Sequence, residues 1–201
     1  MQMMRHLIAP AVLAFTMASA ASSKAADLGV NGRIRAGGAC SIAVGNGGVI
    51  DLGDLSFEQL ANVSYMRSRD VPLTINCQRQ TKVGVKAIDN RKDSAHGYGF
   101  GLGNPAIGGY EIYPELNGGS AADGRQVYLI HGHDNDWGRT DASWSPDGIV
   151  SWGIPDAEWE PVAFKTLTTS LYVIVNVKKD DIMVTDVLEI DGSATLELVY
   201  L

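Results

Sequence analysis

A chain of 201 residues that is 45% hydrophobic and 19% charged holds enough apolar material for one sizeable core and too much for a disordered segment. Its formal charge of −7, with no basic patch, argues against nucleic-acid binding. The 23 glycines, many in Asp-Gly, Asn-Gly or Gly-Gly pairs, place turns at short intervals and favour an all-β protein.

Residues 1–20 read as a secretory signal peptide. Arg5 gives a positive start, residues 7–17 are apolar apart from Thr16, and Ala18-Ser19-Ala20 offers small residues for cleavage, with a second cleavage option as late as residue 25. That apolar run is too short to span a membrane, and nothing downstream is long and apolar enough either. The mature chain, residues 21–201, is expected to be one exported, soluble domain without a membrane span.

Residues 26–34 alternate, with Ala26, Leu28, Val30, Gly32 and Ile34 on one face, and predict a strand leading towards Cys40. Gly45-Asn46-Gly47-Gly48 predicts a turn, residues 49–53 a short strand, and residues 55–63 a brief helical turn. In the strand predicted over residues 71–77, Val71, Leu73, Ile75 and Cys77 share a face, and Pro72 sits near the start, where a strand tolerates it. A further strand is expected at 82–88, a turn at 89–93 and a Gly-rich loop at 94–105. Strands at 110–116 and 126–131 flank turn signals at 117–119 and 123–124. Residues 132–161, the most polar stretch, hold all four tryptophans and read as a loop-rich insertion. The longest strand-like run is 162–177; residues 178–181 break it, 182–190 are mixed, and Asp191-Gly192 is a turn. Short strands at this spacing with no sustained helical period predict a β-sandwich.

The last stretch, residues 193–201, reads as a strand reaching the end of the sequence. Ala194, Leu196, Leu198 and Tyr200 point to one face, while Thr195, Glu197, Val199 and Leu201 point to the other. An apolar edge of this kind invites pairing, so either an earlier strand of the chain or a strand of another protein is expected beside it. Export places Cys40 and Cys77 where disulfides persist, and one bridge between them is the natural reading, with a metal or catalytic thiol as the alternative.

Taken together, the signal segment, Cys40, a second cysteine on a later strand and an alternating final strand with Tyr200 next to last resemble chaperone–usher pilus subunits. Val30-Asn31-Gly32-Arg33-Ile34, Ala39-Cys40, residues 71–77, Ala87-Ile88-Asp89-Asn90-Arg91 and residues 191–198 more closely resemble an uncharacterised fimbrial-subunit-like family of Gram-negative bacteria. The resemblance implies an immunoglobulin-like, pilin-type β-sandwich that is incomplete, lacking its final strand. It implies a structural subunit, major, minor or at the tip of an adhesive surface pilus, assembled by donor-strand complementation. Implied partners are a periplasmic pilus chaperone, an outer-membrane usher and other pilus subunits, with passage through the periplasm to the cell surface. The pairing strand would be Ala194, Leu196, Leu198, Tyr200 and Leu201, the last offering its carboxylate to basic residues of the chaperone.

Trp137, Trp144, Trp152 and Trp159 recur every few residues, and exposed indoles there would offer rigid apolar faces to a receptor, with core or hairpin packing as the competing explanation. His131 and His133 can share a strand face, but no motif fixes a third ligand. No nucleophile elbow or phosphate loop is present, so no enzymatic activity, metal or cofactor is expected. The alternative function is a self-contained secreted β-sandwich binding module for a carbohydrate or protein ligand, with residues 28–34 covering the last strand in cis. A third reading is a metal-dependent hydrolase centred on His131 and His133.

Overall fold

The computed structural model describes residues 39–56, 65–95, 97, 99–114, 119–133, 136–140, 143–155, 158–178 and 187–201, all within one compact unit, Arg35–Leu201. The expected signal peptide and the strand at 26–34 lie outside the described residues, as do most of the helical turn at 55–63 and half of 182–190.

Thirteen strands are formed among the described residues: β1 (Cys40–Val44), β2 (Tyr65–Arg67), β3 (Val71–Thr81), β4 (Val83–Asp89), β5 (Phe100–Gly101), β6 (Gly108–Pro114), β7 (Ala121–Ala122), β8 (Arg125–Gln126), β9 (Tyr128–His133), β10 (Asp136–Arg139), β11 (Ile149–Gly153), β12 (Phe164–Val177) and β13 (Ala194–Tyr200). One sheet runs β1-β3-β12-β6-β5, with β2 and β7 also on β12 and β8 on β7; the other runs β10-β9-β11-β4-β13. Both are antiparallel throughout and pack face to face as an immunoglobulin-like β-sandwich. No helix among the described residues is long and apolar enough to cross a membrane.

Alternation decides which side chains fill the space between the sheets. Leu73 and Ile75 of β3 share one core with Val83, Val85 and Ala87 of β4, with Phe164, Leu167, Val173 and Val175 supplied by the long β12. Trp152 and Phe100 are the largest fully buried side chains, and Trp152 meets Phe164 edge to face at 6.5 Å.

Pro72 lies one residue beyond the end of β1, whose last partner is Leu73, so its missing N–H costs no bond to that strand. Its ring sits over Gly45, leaving no room for a side chain there. The chain then turns through Asn46 and Gly47, both at positive φ, and leaves the sheet. Residues 49–53 were expected to be a strand. They are extended, and Ile50 and Leu52 do pack on the core, but they belong to neither sheet.

A larger correction concerns the expected loop-rich insertion at 132–161. It contains β10 and β11, and β11 is a central strand of its sheet, between β9 and β4. Its missed signal was the Asp147-Gly148 turn, with Asp147 at φ 64, followed by the apolar run Ile149-Val150-Ser151-Trp152.

The Cys40–Cys77 disulfide joins the directly opposed residues of β1 and β3. Replacing both with Ser should lower the unfolding free energy by about 2–4 kcal/mol, the usual range for a bridge closing a loop of this order; urea denaturation of the two proteins measures it. Asp123, at the β7–β8 turn, accepts the Thr166 N–H at 2.8 Å, the Gln80 amide at 2.8 Å and the Lys165 N–H at 3.1 Å, pinning the hairpin to the bulge in β12. The Thr166 bond first, then those of Gln80 and Lys165, hold its carboxyl below the ordinary 3.8. A carboxylate with a lowered folded-state pKa stabilises above its unfolded value and loses that contribution as pH falls through the folded one. Asp123→Asn should therefore melt lower at neutral pH and show a shallower loss of Tm on acidification, as thermal melts across the acid range would record.

Candidate functional site

Among the described residues the sandwich is not closed between β1 and β13. β13 pairs along its whole length with β4, from Ala194 opposite Asp89 to Tyr200 opposite Val83, and with no other strand among the described residues. The Asn90 N–H donates to the Ser193 carbonyl at 3.0 Å and the Leu201 N–H to the Lys82 carbonyl at 3.1 Å. In an antiparallel ladder this fixes the parity: odd-numbered residues of β13 bond to β4, and the N–H and C=O groups of Ala194, Leu196, Leu198 and Tyr200 aim at the free side. Of these, Ala194, Leu196 and Leu198 also turn their side chains onto the core.

β1 repeats the arrangement from across the gap. The Gln78 N–H donates to the Ala39 carbonyl at 3.1 Å, so Cys40, Ile42 and Val44 direct their backbone groups away from β3. At one end the two edges meet: the Cys40 N–H donates to the Tyr200 hydroxyl at 2.9 Å, beside the disulfide. At the other end they diverge into an open groove of about 1390 Å³. Small-molecule sites usually occupy about 300–1,000 Å³, so this is a trough suited to a longer, extended occupant.

The floor of the groove is apolar, formed by Ile112, Tyr110, Leu171, Val173 and Val175. Its rims are two extended segments outside both sheets, residues 48–55 and 187–193. Val49, at 59% exposure, and Val187, at 83%, stand apolar and open on opposite rims. The second rim is well anchored. Asp191 accepts from the Arg91 guanidinium at 2.6 and 3.0 Å, its N–H donates to the Leu102 carbonyl at 3.1 Å, and the Asn90 amide reaches the hydroxyls of Ser193 and Thr195 at 3.0 and 3.1 Å. The Tyr110 ring lies against Gly192, where a Cβ would collide with it. The first rim is held locally, by the Asn46 amide on the Val49 carbonyl at 2.7 Å and by Asp51 accepting the Gly53 N–H at 2.8 Å.

Tyr110 is only 7% exposed, stacks on Phe100 at 5.2 Å, and its hydroxyl has no hydrogen-bond partner among the described residues. Burial, with the Asp89 carboxylate adding and Arg91 opposing, pushes its pKa well above the ordinary 10.0, so it remains a proton donor.

The residues singled out in the sequence divide. Ala194 and Leu196 line the groove, and Leu198 packs on the core towards its closed end. Tyr200 closes that end through its hydroxyl, and its side chain is 55% exposed; Leu201 lies on the outer side of β4, near Gly84. The four tryptophans divide between core and surface. Trp144 and Trp152 are buried at 2% and 0% exposure as core packing, which removes them as surface contacts, while Trp137 and Trp159 are half-buried and Trp159 meets Tyr128 edge-on. Among the described residues no group of three His, Cys, Asp or Glu is placed to hold a metal ion around His131 or elsewhere.

Residues 28–129 match a family described as "Protein of unknown function (DUF1120)". The chain is also 29% identical over 122 residues to "Uncharacterized protein YhcF" of Escherichia coli (strain K12), an alignment covering 46% of this chain. It spans about half, 51%, of that relative's length.

The Tyr200 contact can be tested by itself. Tyr200→Phe removes one partly exposed hydrogen bond and should cost about 0.5–1 kcal/mol, the low end for such bonds. Hydrogen exchange at the Cys40 amide should quicken in the variant, and unchanged exchange would mean that the hydroxyl does not seal this end.

Proposed function

The chain belongs to the family described as "Protein of unknown function (DUF1120)", and within that family we propose that this protein is a structural subunit of a chaperone–usher surface pilus, completed by a strand from another polypeptide. The observation that carries the reading is the slot: two facing strand edges, β1 and β13, whose outward backbone groups at Ile42, Val44, Ala194, Leu196 and Leu198 meet no other strand among the described residues, on either side of an apolar floor. Strand addition matches each of these features. The incoming main chain pairs with the polar groups of Ala194, Leu196 and Leu198, and its alternate side chains fill the trough.

Magnitudes indicate what kind of donor succeeds. Four large apolar side chains buried in the trough contribute about 6–12 kcal/mol. Ordering about seven flexible residues, the length of β13, costs about 7–14 kcal/mol. The terms nearly cancel, so a donor already held extended in a folded protein binds far better than a free peptide. A periplasmic chaperone is such a donor, and a neighbouring subunit inherits the site from it. The disulfide agrees with export to an oxidising compartment.

Produced alone in a Gram-negative periplasm, the full chain should aggregate or be degraded, and co-production of the pilus chaperone from the same genome should give a soluble 1:1 complex. Leu196→Glu, which puts a charge into the slot, should abolish that complex while leaving the disulfide formed. A stable, soluble monomer that ignores the chaperone would sink the proposal.

A further inference from the structure

The groove carries a charge pattern in addition to its apolar floor. Its rims hold four carboxylates, Asp51 and Asp54 on one side and Glu189 and Asp191 on the other, and no Lys, Arg or His is among the described residues that line it. Arg91 neutralises Asp191 at 2.6 Å. Asp51, Asp54 and Glu189 remain, all exposed, on segments that flank the mouth from both sides.

A strand seated in the slot turns alternate side chains down onto Val173, Val175 and Ile112 and the intervening ones up between the rims. We propose that the occupant is an extended segment of another polypeptide whose downward positions are apolar and whose upward positions carry Lys or Arg. This rests on the strand-acceptor reading above and adds the partner's chemistry to it. Upward basic residues meet carboxylates on both rims, and upward acidic residues meet like charge at every step. Tyr110 lies on the floor of the same groove, and a strand backbone passing over it supplies carbonyl oxygens to its hydroxyl.

Exposed ion pairs are individually weak, so three together give discrimination of about tenfold, felt mainly as steering and register. That is selection among strands, not the source of affinity, which lies in the apolar floor.

The test uses the full-length protein refolded from urea with fluorescein-labelled synthetic peptides held extended as one strand of a disulfide-closed hairpin, in which Val alternates with Lys, with Thr or with Glu, read by anisotropy at low and high salt. The Lys peptide should bind about tenfold tighter than the Glu peptide at 0.05 M salt, and the gap should close near 1 M, where the Debye length falls to about 3 Å. The combined variant Asp51→Asn, Asp54→Asn, Glu189→Gln should bind the Thr peptide as the parent does and lose the preference for Lys over Glu. Asn at position 51 can still accept the Gly53 N–H, so that rim keeps its turn. Equal binding of the three peptides, or a preference that survives in the variant, overturns the charge proposal and leaves strand acceptance standing. Binding of none of them, including uptake of the fatty-acid probe cis-parinaric acid in their place, overturns both.

Discussion

Half of the backbone groups of β13 have nowhere to go within the described fold. A buried N–H or C=O without a partner costs on the order of 1–3 kcal/mol, and the parity fixed by Asn90–Ser193 and Lys82–Leu201 directs those of Ala194, Leu196 and Leu198 away from β4. β1 presents the same difficulty from the opposite side with Ile42 and Val44. Each edge could be wetted separately. What makes them one site is the apolar floor between them, because water that satisfies the edges must also lie on Val173, Val175 and Ile112. A single extended chain resolves both costs together, and neither a small polar ligand nor bulk solvent does so.

The rest of the sandwich is arranged to hold that slot open. β12 carries the floor and changes partners along its length, pairing with β3 and β7 in its first half and with β6 and β2 in its second. Its second half, which underlies the groove, is thereby bonded on both sides. One rim is fixed by the Arg91–Asp191 pair and by Gly192 beneath the Tyr110 ring, and the closed end by the disulfide and the Tyr200 hydroxyl. Beyond the packing of Ile50 and Leu52 on the core, the rim at residues 48–55 is hydrogen-bonded through its own turn contacts among the described residues. Such a segment is the natural one to adjust when a strand enters, since it gives up no ladder bonds in doing so.

The sequence was most readable where side-chain period and burial coincide. Leu73 and Ile75, and Leu196 and Leu198, alternate in the chain and face the core in the fold, because a half-buried strand has no other way to place them. It misled where pairing, not pattern, decides the outcome. Residues 49–53 have the pattern of a strand, and Ile50 and Leu52 do face inward, yet no strand lies beside them among the described residues; which backbone finds a partner is a tertiary fact that local periodicity does not encode. The loop reading of 132–161 failed for a related reason. Polar neighbours made 132–161 look like loop, but Trp152 sits at the centre of a sheet, and indole volume at that depth outweighs the polarity of the residues around it. Neither the acidic rims nor the free Tyr110 hydroxyl was legible, since Asp51, Tyr110 and Glu189 come together only when β1, β6 and β13 are folded around one trough.

The misread segment and the proposed site are then the same feature seen twice. An extended, inward-facing run at residues 49–53 that fails to pair is anomalous in a finished sandwich, where an apolar strand at a sheet edge is covered or blunted by charge. Here Asp51 within the run and Asp54 just after it stand at the mouth of the groove. They discourage a wrong neighbour of like sign without filling the space a right one would occupy. An edge left apolar and unpaired along its inner face but acidic along its outer one combines attraction with exclusion, as a surface must if it is to take up one kind of strand and refuse the rest.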